Sequence, residues 1–228
     1  MGSFDLTVFL RAFRTIMRGL PVTALAAVAA MAAALVLGTL IALVRRSPQA
    51  VGKRLLTAYV SFFRGTPLMV QLFLFYFGLP QLFPVLSTIG PLGASILVMS
   101  LNGSAYVSEA VRSSLASVDP VQMEAALSVG MGKSQAMARI VLPQAFRIAV
   151  PPLGNTFIGL IQGTALTFML GLRDVMGMAK MGAAASYRFF EFYLAVGLVY
   201  WLLAAGATWF NRRLEMRLSL GHGGHDGA

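Results

Sequence analysis

Gly132, Lys133 and Ser134 have the order of the three residues that end a nucleotide-binding P-loop. A P-loop also has a glycine five residues before its Gly-Lys pair and follows a β-strand, so that successive backbone N–H groups can surround the phosphates. Position 127 is instead a leucine that belongs to an apolar helical pattern. The sequence therefore predicts a turn between two helices, no ATP site and no catalytic residue in this chain.

The side chains that most often bind metals are scarce. The chain has no cysteine, which excludes disulfides, thiolate metal sites and a cysteine nucleophile. Its two histidines, His222 and His225, lie in the glycine-rich segment GHGGHDGA, which is typical of a disordered tail. We therefore expect no metal ion and no cofactor bound by this chain.

The composition is that of an integral membrane protein. Of the 228 residues, 57% are hydrophobic and 11% are charged, and the mean hydropathy is +0.76. This is too apolar for an ordinary soluble domain, and a helix needs about 20 residues to cross the hydrocarbon. We expect one all-α domain over residues 1–228, with five transmembrane helices at 19–44, 65–79, 90–111, 148–171 and 192–211.

The net charge of +10 reflects how Lys and Arg are distributed among the loops. In membrane proteins these residues favour the cytoplasmic side. Twelve of the 18 fall on one side of the predicted spans, and we place that side in the cytoplasm. The N-terminus is then outside and the C-terminus inside, and the expected partner of the charge is the lipid membrane, with no nucleic acid.

The N-terminal residues predict an amphipathic helix. Arg11, Arg14 and Arg18 share one helical face at 100° per residue, and apolar residues occupy the opposite face. The apolar residues are Phe9, Phe13, Ile16, Met17 and Leu20. We expect this helix to lie on the outer membrane interface.

Residues 113–147 form a long cytoplasmic segment that is patterned as two short helices. Asp119 suits the N-cap of the first helix, and Gly130 and Gly132 interrupt the apolar pattern that follows. The second helix is expected to kink or end at Pro143. By composition alone, such a segment is equally suited to docking another protein and transmitting its movement, or to resting on the inner leaflet.

Residues 124–143, EAALSVGMGKSQAMARIVLP, resemble the EAA loop of ABC-importer permeases at every signature position. The signature is Glu-Ala-Ala, three residues, a glycine, nine residues, and Ile-x-Leu-Pro. Residues 63–81, 100–112 and 142–166 are similar to polar amino-acid permeases of the type I importer class, so the resemblance covers nearly the whole chain. Within these segments YFGLPQ and SLN, together with AVGLVYW at 195–201, most resemble cystine permeases.

The resemblance implies a permease subunit in the bacterial inner membrane that takes up a polar amino acid, with L-cystine as the specific candidate. It implies a homodimer of permease chains, a dimer of ABC ATPase subunits that hold ATP and Mg²⁺, and an extracytoplasmic amino-acid-binding protein. By matching position, the residues that couple the permease to the ATPase are Glu124, Ala125, Ala126, Gly130, Leu142 and Pro143.

A path for an amino acid needs polar groups that replace water around its ammonium and carboxylate groups. The candidates in or near the predicted spans are Gln71, Asn102, Ser104, Glu109, Asn155, Thr156, Gln162, Thr164 and Asp174. For any one of them, hydrogen bonding between helices is the stronger interpretation, and as a set they define a path. Glu109 and Arg112 are three residues apart, which favours a local ion pair.

Two other classes of function stay open at this level. A secondary carrier driven by an ion gradient usually has inverted repeats and ionisable residues in mid-membrane, and this sequence shows neither. A small channel or structural membrane protein would not need the paired-helix loop. The prediction is therefore an importer whose uptake depends on a separate ATPase.

Overall fold

The computed structural model describes residues 4–46 and 50–219, and within these ranges the chain is helical and contains no strand. The α-helices are α1 Leu6–Ile16, α2 Leu20–Arg46, α3 Ala50–Gly65, α4 Leu68–Phe73, α5 Pro91–Ala116, α6 Pro120–Ser128, α7 Lys133–Ala136, α8 Leu142–Gly163, α9 Val175–Ser186 and α10 Phe189–Ser219. The predicted all-α fold is confirmed. His222 and His225 lie outside the described residues.

Three helical segments of the described ranges are long and apolar enough to cross a membrane, namely Leu6–Arg46, Lys133–Leu170 and Phe189–Leu218. A fourth is obtained if Gly52–Gly65 and Leu68–Gln81, which are bent by 110° to each other, count as one span. α5 overlaps the predicted span 90–111 and is long enough to cross a membrane. It is not among the three apolar segments because its residues include several serines and an asparagine. The number of five transmembrane helices stays a prediction.

Helices α2 and α5 pack together through a stripe of small residues. The buried positions on α2 recur every fourth residue, at Ala26, Ala30, Ala34, Gly38 and Ala42. Small side chains at this spacing let two helix backbones approach closely. A Cβ atom added at Gly38 would lie 2.6 Å from the Val107 Cβ atom and 2.7 Å from the Ser104 carbonyl oxygen, so no larger residue fits there.

The chain turns sharply between α3 and α4. Gly65 ends α3 and Pro67 occupies the N-cap position of α4 with extended backbone dihedrals. α4 has six residues and passes into a π-helical turn at Leu74–Gly78 and a 3₁₀ turn at Leu79–Gln81. The bend lies at the start of the predicted span 65–79, because Pro67 cannot continue the preceding helix, and the bounds of this span stay a prediction.

Helix α1 is amphipathic as predicted, but its apolar face is buried inside the protein. Ala12 and Ile16 are fully buried in a cluster with residues of α9 and α10. Phe9, Phe13, Met17 and Leu20 pack around the same cluster. The expectation that this helix rests on the membrane interface is corrected, because protein side chains cover the face that lipid would have covered.

The segment between α5 and α8 contains two short helices, α6 and α7. The Asp119 carboxylate accepts a hydrogen bond from the Val121 N–H at 2.9 Å, which confirms Asp119 as the N-cap of α6. Of the two effects predicted for Pro143, a kink or an end of the helix, the structure excludes the end, and the kink stays a prediction. A π-helical turn at Met137–Val141 joins α7 to α8, and this wider turn accommodates the proline in the first turn of α8.

We expect Gly38→Ala to destabilise the protein by about 1–3 kcal/mol, because the new methyl group collides with the backbone of α5. Thermal unfolding of the purified chain in detergent measures this loss. The matched control is Gly197→Ala, also within a helix, where an added Cβ meets nothing within 4 Å. Equal stability of the two variants would contradict the close contact of α2 with α5.

Candidate functional site

A cavity of about 770 Å³ lies between the α3–α4 bend, α5 and α8. Its polar lining consists of Arg64, Thr66, Asn102, Tyr106, Glu109, Ser113, Asn155 and Thr156. The residues from α5 are spaced by four, three and four positions, and those from α8 continue along one face to Gly159 and Leu160. Such spacings place each set on a single helical face, so the helical period itself aims these groups into the cavity.

Gln71 and Asn102 form the polar wall beside the bend. In a regular helix the carbonyl group of Phe63 would accept a bond from residue 67, but Pro67 has no N–H. The Gln71 and Asn102 side-chain amides each donate to that carbonyl oxygen at 3.0 Å. The Asn102 amide also donates to the Gln71 Oε1 atom at 3.0 Å. Of the two, Asn102 lines the cavity and Gln71 is buried behind it.

Glu109 lies at one end of the cavity among three arginines. The predicted pair with Arg112 is confirmed, with an N–O distance of 2.7 Å. Arg45, from the end of α2, also donates to the Glu109 carboxylate, and the Arg64 guanidinium lies 4.0 Å from it. One carboxylate is therefore surrounded by three guanidinium groups, and this end of the cavity has a net positive charge.

The other predicted path residues lie away from the cavity. Ser104 is buried and bonds to the Tyr59 hydroxyl group at 2.8 Å. Thr164 is buried and bonds to the Tyr200 hydroxyl group at 3.1 Å. Gln162 is exposed on α8. Of the nine candidates, the structure brings together Asn102, Glu109, Asn155 and Thr156 in one cavity, with Gln71 next to them.

Asp174, the remaining candidate, is a buried cap of α9. It is 1% exposed, and its Oδ1 atom accepts a bond from the Gly177 N–H at 2.8 Å. Its Oδ2 atom is buried without a hydrogen-bond partner among the described residues. A Cβ atom added at Gly19 would lie 2.4 Å from the Asp174 backbone, so α9 begins in close contact with the start of α2. Asp174 thus caps α9 and lies apart from the cavity.

Sequence reasoning missed Arg64 and Tyr106. The Arg64 guanidinium lies 5.7 Å from the centre of the Tyr106 ring, and both line the cavity. Tyr106 follows Asn102 by four residues and precedes Glu109 by three, so the helical period alone identifies it. The helical period does not identify Arg64, because this residue lies at the end of α3 and only the bend that follows brings it to the cavity.

The loop that resembles the EAA motif is held by its own capping interactions. Gly130 has a φ of +85°, in the left-handed region. The Met131 N–H bonds to the Ala126 carbonyl at 3.1 Å, and the Gly130 N–H bonds to the Leu127 carbonyl at 3.0 Å. These two bonds form the Schellman arrangement that ends many helices, and it favours glycine because other residues are strained there.

The predicted coupling residues divide into exposed and buried groups. Glu124, Ala125, Gly130, Leu142 and Pro143 are exposed, whereas Ala126 is buried inside the loop. Apolar side chains are exposed beside them, with Val121 at 58% and Val129 at 78%. Val118, Val141 and Ala145 form a small core beneath, with Met123 of α6 packed against it. The loop thus presents an apolar helical surface on a packed base.

A helical membrane bundle with a polar cavity and a capped two-helix loop at one end defines a transport protein of the permease class. The model of the family described as binding-protein-dependent transport system inner membrane component matches residues 34–220. The chain therefore belongs to this family.

Relatives of known name agree with the assignment. YxeN of Bacillus subtilis (strain 168), a probable amino-acid permease protein, is 48% identical over 203 residues, which are 89% of this chain and 91% of that protein. The L-cystine transport system permease protein TcyL of the same organism is 36% identical over 220 residues, 95% of this chain and 92% of TcyL. A chain in the crystal structure of an amino acid ABC transporter with histidines superposes with a TM-score of 0.88 at 31% identity, covering 95% of this chain and 100% of that one.

The predicted identification is thus confirmed: the protein is the permease subunit of a type I ABC importer for amino acids, and it is not itself an enzyme. Its membrane location follows from the family and from the apolar helices. The roles of individual site residues stay predictions.

Burial raises the pKa of the Asp174 carboxyl to about 6, although backbone N–H groups partly oppose the rise. This residue lies between the candidate spans that end at Leu170 and begin at Phe189. Because the folded protein favours the protonated form, the free energy of unfolding should fall as the pH rises from about 4 through about 6.

Asp174→Asn keeps a capping side chain without the charge, so its stability should fall less over this pH range than that of the wild-type chain. Thermal unfolding at about pH 5 and about pH 7.5 measures the difference. Asp119→Asn, the same change at the exposed N-cap of α6, should keep the wild-type pH dependence. A wild-type pH dependence in Asp174→Asn would show that this carboxyl is ionised in the folded protein.

Proposed function

We propose that this permease forms the path for a polar amino acid without net positive charge, with L-cystine as the specific candidate, in an importer driven by ATP. The observation that carries the proposal is the cavity lined by Arg64, Asn102, Tyr106, Glu109 and Asn155. Its volume of about 770 Å³ is within the range of sites that enclose small ligands.

The charges around the cavity support a substrate with accessible carboxylates. Arg45 and Arg112 both contact Glu109, so the one acidic group is already compensated. Arg64 is 47% exposed and lines the cavity, so its guanidinium can form charge-assisted hydrogen bonds with a substrate carboxylate. Like charges repel a cationic side chain at the same place. L-cystine has two zwitterionic amino-acid ends, and the similarity to TcyL agrees with this choice.

The exposed face of α6 is the surface that we assign to the ATPase. Glu124, Ala125 and Val121 are exposed on it, and Leu127 and Val129 extend the apolar area toward Gly130. An apolar helix that fits a groove of another protein is a common mode of recognition. In this assignment ATP and Mg²⁺ bind to the partner ATPase dimer, and no cofactor binds to this chain.

The orientation is assigned from the placement of the basic residues, and the remaining partners are assigned from the resemblance to the family. Arg45, Arg112 and the α6–α7 loop lie at the same end of the bundle, and we assign this end to the cytoplasm of the bacterial inner membrane. The N-terminus is then outside and the C-terminus inside. The opposite end receives the amino acid from an extracytoplasmic binding protein, and a second copy of the chain completes a homodimer.

Uptake into proteoliposomes that hold the permease, its ATPase and its binding protein tests the proposal. Labelled L-cystine should enter only with ATP, and labelled arginine should not enter. Arg64→Gln should raise the KM for L-cystine about tenfold or more, since hydrogen bonds to charged groups contribute about 1.5–3 kcal/mol. The control is Arg54→Gln, an exposed residue of α3 that does not line the cavity.

Three results would count against parts of the proposal. Uptake of arginine in preference to L-cystine would contradict the assigned substrate charge. An Arg64→Gln variant with the KM of the Arg54→Gln control would remove Arg64 from the path. Uptake that ignores ATP and collapses with an ionophore would favour a gradient-driven secondary carrier instead.

Gly130→Ala should weaken binding of the ATPase to the permease about fivefold. An alanine in the left-handed conformation of Gly130 costs about 1 kcal/mol, and this strain destabilises the turn that ends α6. Gly130→Asn should weaken it less, since asparagine tolerates this conformation better. Titration of the ATPase onto immobilised permease measures the affinity. Gly132→Ala is the control, because its φ is −70° and an added Cβ meets nothing within 4 Å. Equal affinities for Gly130→Ala and Gly132→Ala would show that docking does not need the glycine turn.

A further inference from the structure

The last turns of α10 carry an aromatic and basic stripe. Trp209, Arg213 and Arg217 are four residues apart and share one helical face. The Arg213 guanidinium lies 5.3 Å from the centre of the Trp209 ring. A shallow groove of about 420 Å³ runs along the stripe, and Phe210 and Leu214 complete its lining.

This stripe faces away from the rest of the described chain. On the same helix, Asn211 contacts α8 so closely that a Cβ atom added at Gly154 would lie 2.2 Å from it. At 100° per residue, the stripe is about 160–240° from Asn211, on the opposite side of the helix. Trp209 is 61% exposed. Within the described residues, neither Arg213 nor Arg217 forms an ion pair with an acidic side chain.

The residues that precede the stripe on the same face are apolar and exposed. Leu198, Leu202 and Ala205 lead along α10 to Trp209. The face therefore changes from aliphatic to indole to guanidinium, which is the order of a bilayer from hydrocarbon to interface to phosphate. Arg213 lies about 6 Å and Arg217 about 12 Å beyond Trp209 along the helix axis. A headgroup layer is about 5–8 Å thick, so Arg213 lies at the depth of the phosphates if the indole sits at the hydrocarbon boundary. Arg217 lies beyond this layer, but helical side chains tilt toward the N-terminus of the helix, and its long side chain can therefore reach back to the same phosphates.

We propose that Trp209, Arg213 and Arg217 form a binding site for the phosphate headgroup of an anionic phospholipid. The two guanidinium groups, about 6 Å apart at their Cβ atoms, hold one phosphate between them. The Trp209 ring positions Arg213 and borders the first carbons of the acyl chains. Positive charge near a cytoplasmic helix end is expected in any membrane protein, but that rule does not require the arginines to share one groove with an indole.

The tryptophan content of the chain gives a direct test. Trp201 and Trp209 are its two tryptophans. Trp201→Phe therefore leaves Trp209 as the only indole in the full-length chain. After reconstitution into bilayers, quenching of Trp209 by brominated phosphatidylglycerol is compared with quenching by phosphatidylcholine that has the same brominated acyl chains. The site predicts about thirtyfold preference for the anionic lipid, since each of its two arginines contributes about 1 kcal/mol near an anionic surface.

Matched variants separate the site from general surface charge. Arg213→Gln with Arg217→Gln, in the Trp201→Phe background, should abolish the preference. Arg212→Gln removes one charge from a neighbouring face and should keep most of it. Trp209→Phe leaves Trp201 as the reporter, about eight residues nearer the membrane centre, and should show little preference. Soluble glycerol phosphate, which has the phosphate without acyl chains, should not compete.

Several outcomes would overturn the proposal. Equal quenching of Trp209 by the two lipids would exclude a headgroup site, and weak quenching by both would show that protein covers this face. A preference that survives in the double Arg variant would assign the selectivity elsewhere. Competition by glycerol phosphate would indicate a site for soluble phosphates and not for a lipid.

Discussion

The close contact between α2 and α5 is the constraint on which the rest of the bundle depends. Ala34 lies against Gly103, and Gly38 lies against Ser104 and Val107, so the two helices run parallel in a fixed register. Seven residues beyond Gly38, this register brings Arg45 to Glu109. Because α2 and α5 run parallel, the chain between them must return along the bundle, and the bent pair of α3 and α4 is the segment that does so. The small-residue stripe thus determines both the direction of the helices and the charge at one end of the cavity.

The bend between α3 and α4 creates a second requirement, which the polar residues of the cavity wall meet. Pro67 deprives the Phe63 carbonyl of its helical donor, and a backbone oxygen without a partner is costly where water is scarce. Gln71 and Asn102 supply the missing donors. Two residues that sequence reasoning placed in the substrate path therefore first stabilise a break in the helix. The same break brings Arg64 to the cavity, so the structural and the proposed transport roles share one backbone feature.

The predictable features were those encoded in a short stretch of sequence. The N-cap at Asp119, the glycine turn at 130 and the Glu109–Arg112 pair each depend on residues a few positions apart, and all three are present. The apolar face of α1 was also visible, but periodicity does not distinguish a face that meets lipid from one that meets α9 and α10. Arg45 and Arg64 reach Glu109 across more than 40 residues of chain, and only the tertiary packing reveals such contacts. The stripe on α2 has a regular period of four, which is a local signal that the length of an apolar run does not contain.

Helix α8 connects the α6–α7 loop to the cavity through a continuous series of helical turns. It starts at the π-helical turn next to the small core of Val118, Val141 and Ala145, and about 20 Å further along it presents Asn155 and Thr156 to the cavity. A displacement of α6 relative to this core must move the start of α8. Pro151 and Pro152 lie inside α8 where the face that lines the cavity begins, and each removes one N–H from the helix. The helix is therefore expected to bend most easily where it meets the cavity, and we propose that a movement of the loop would change this bend and with it the position of Asn155 relative to α5.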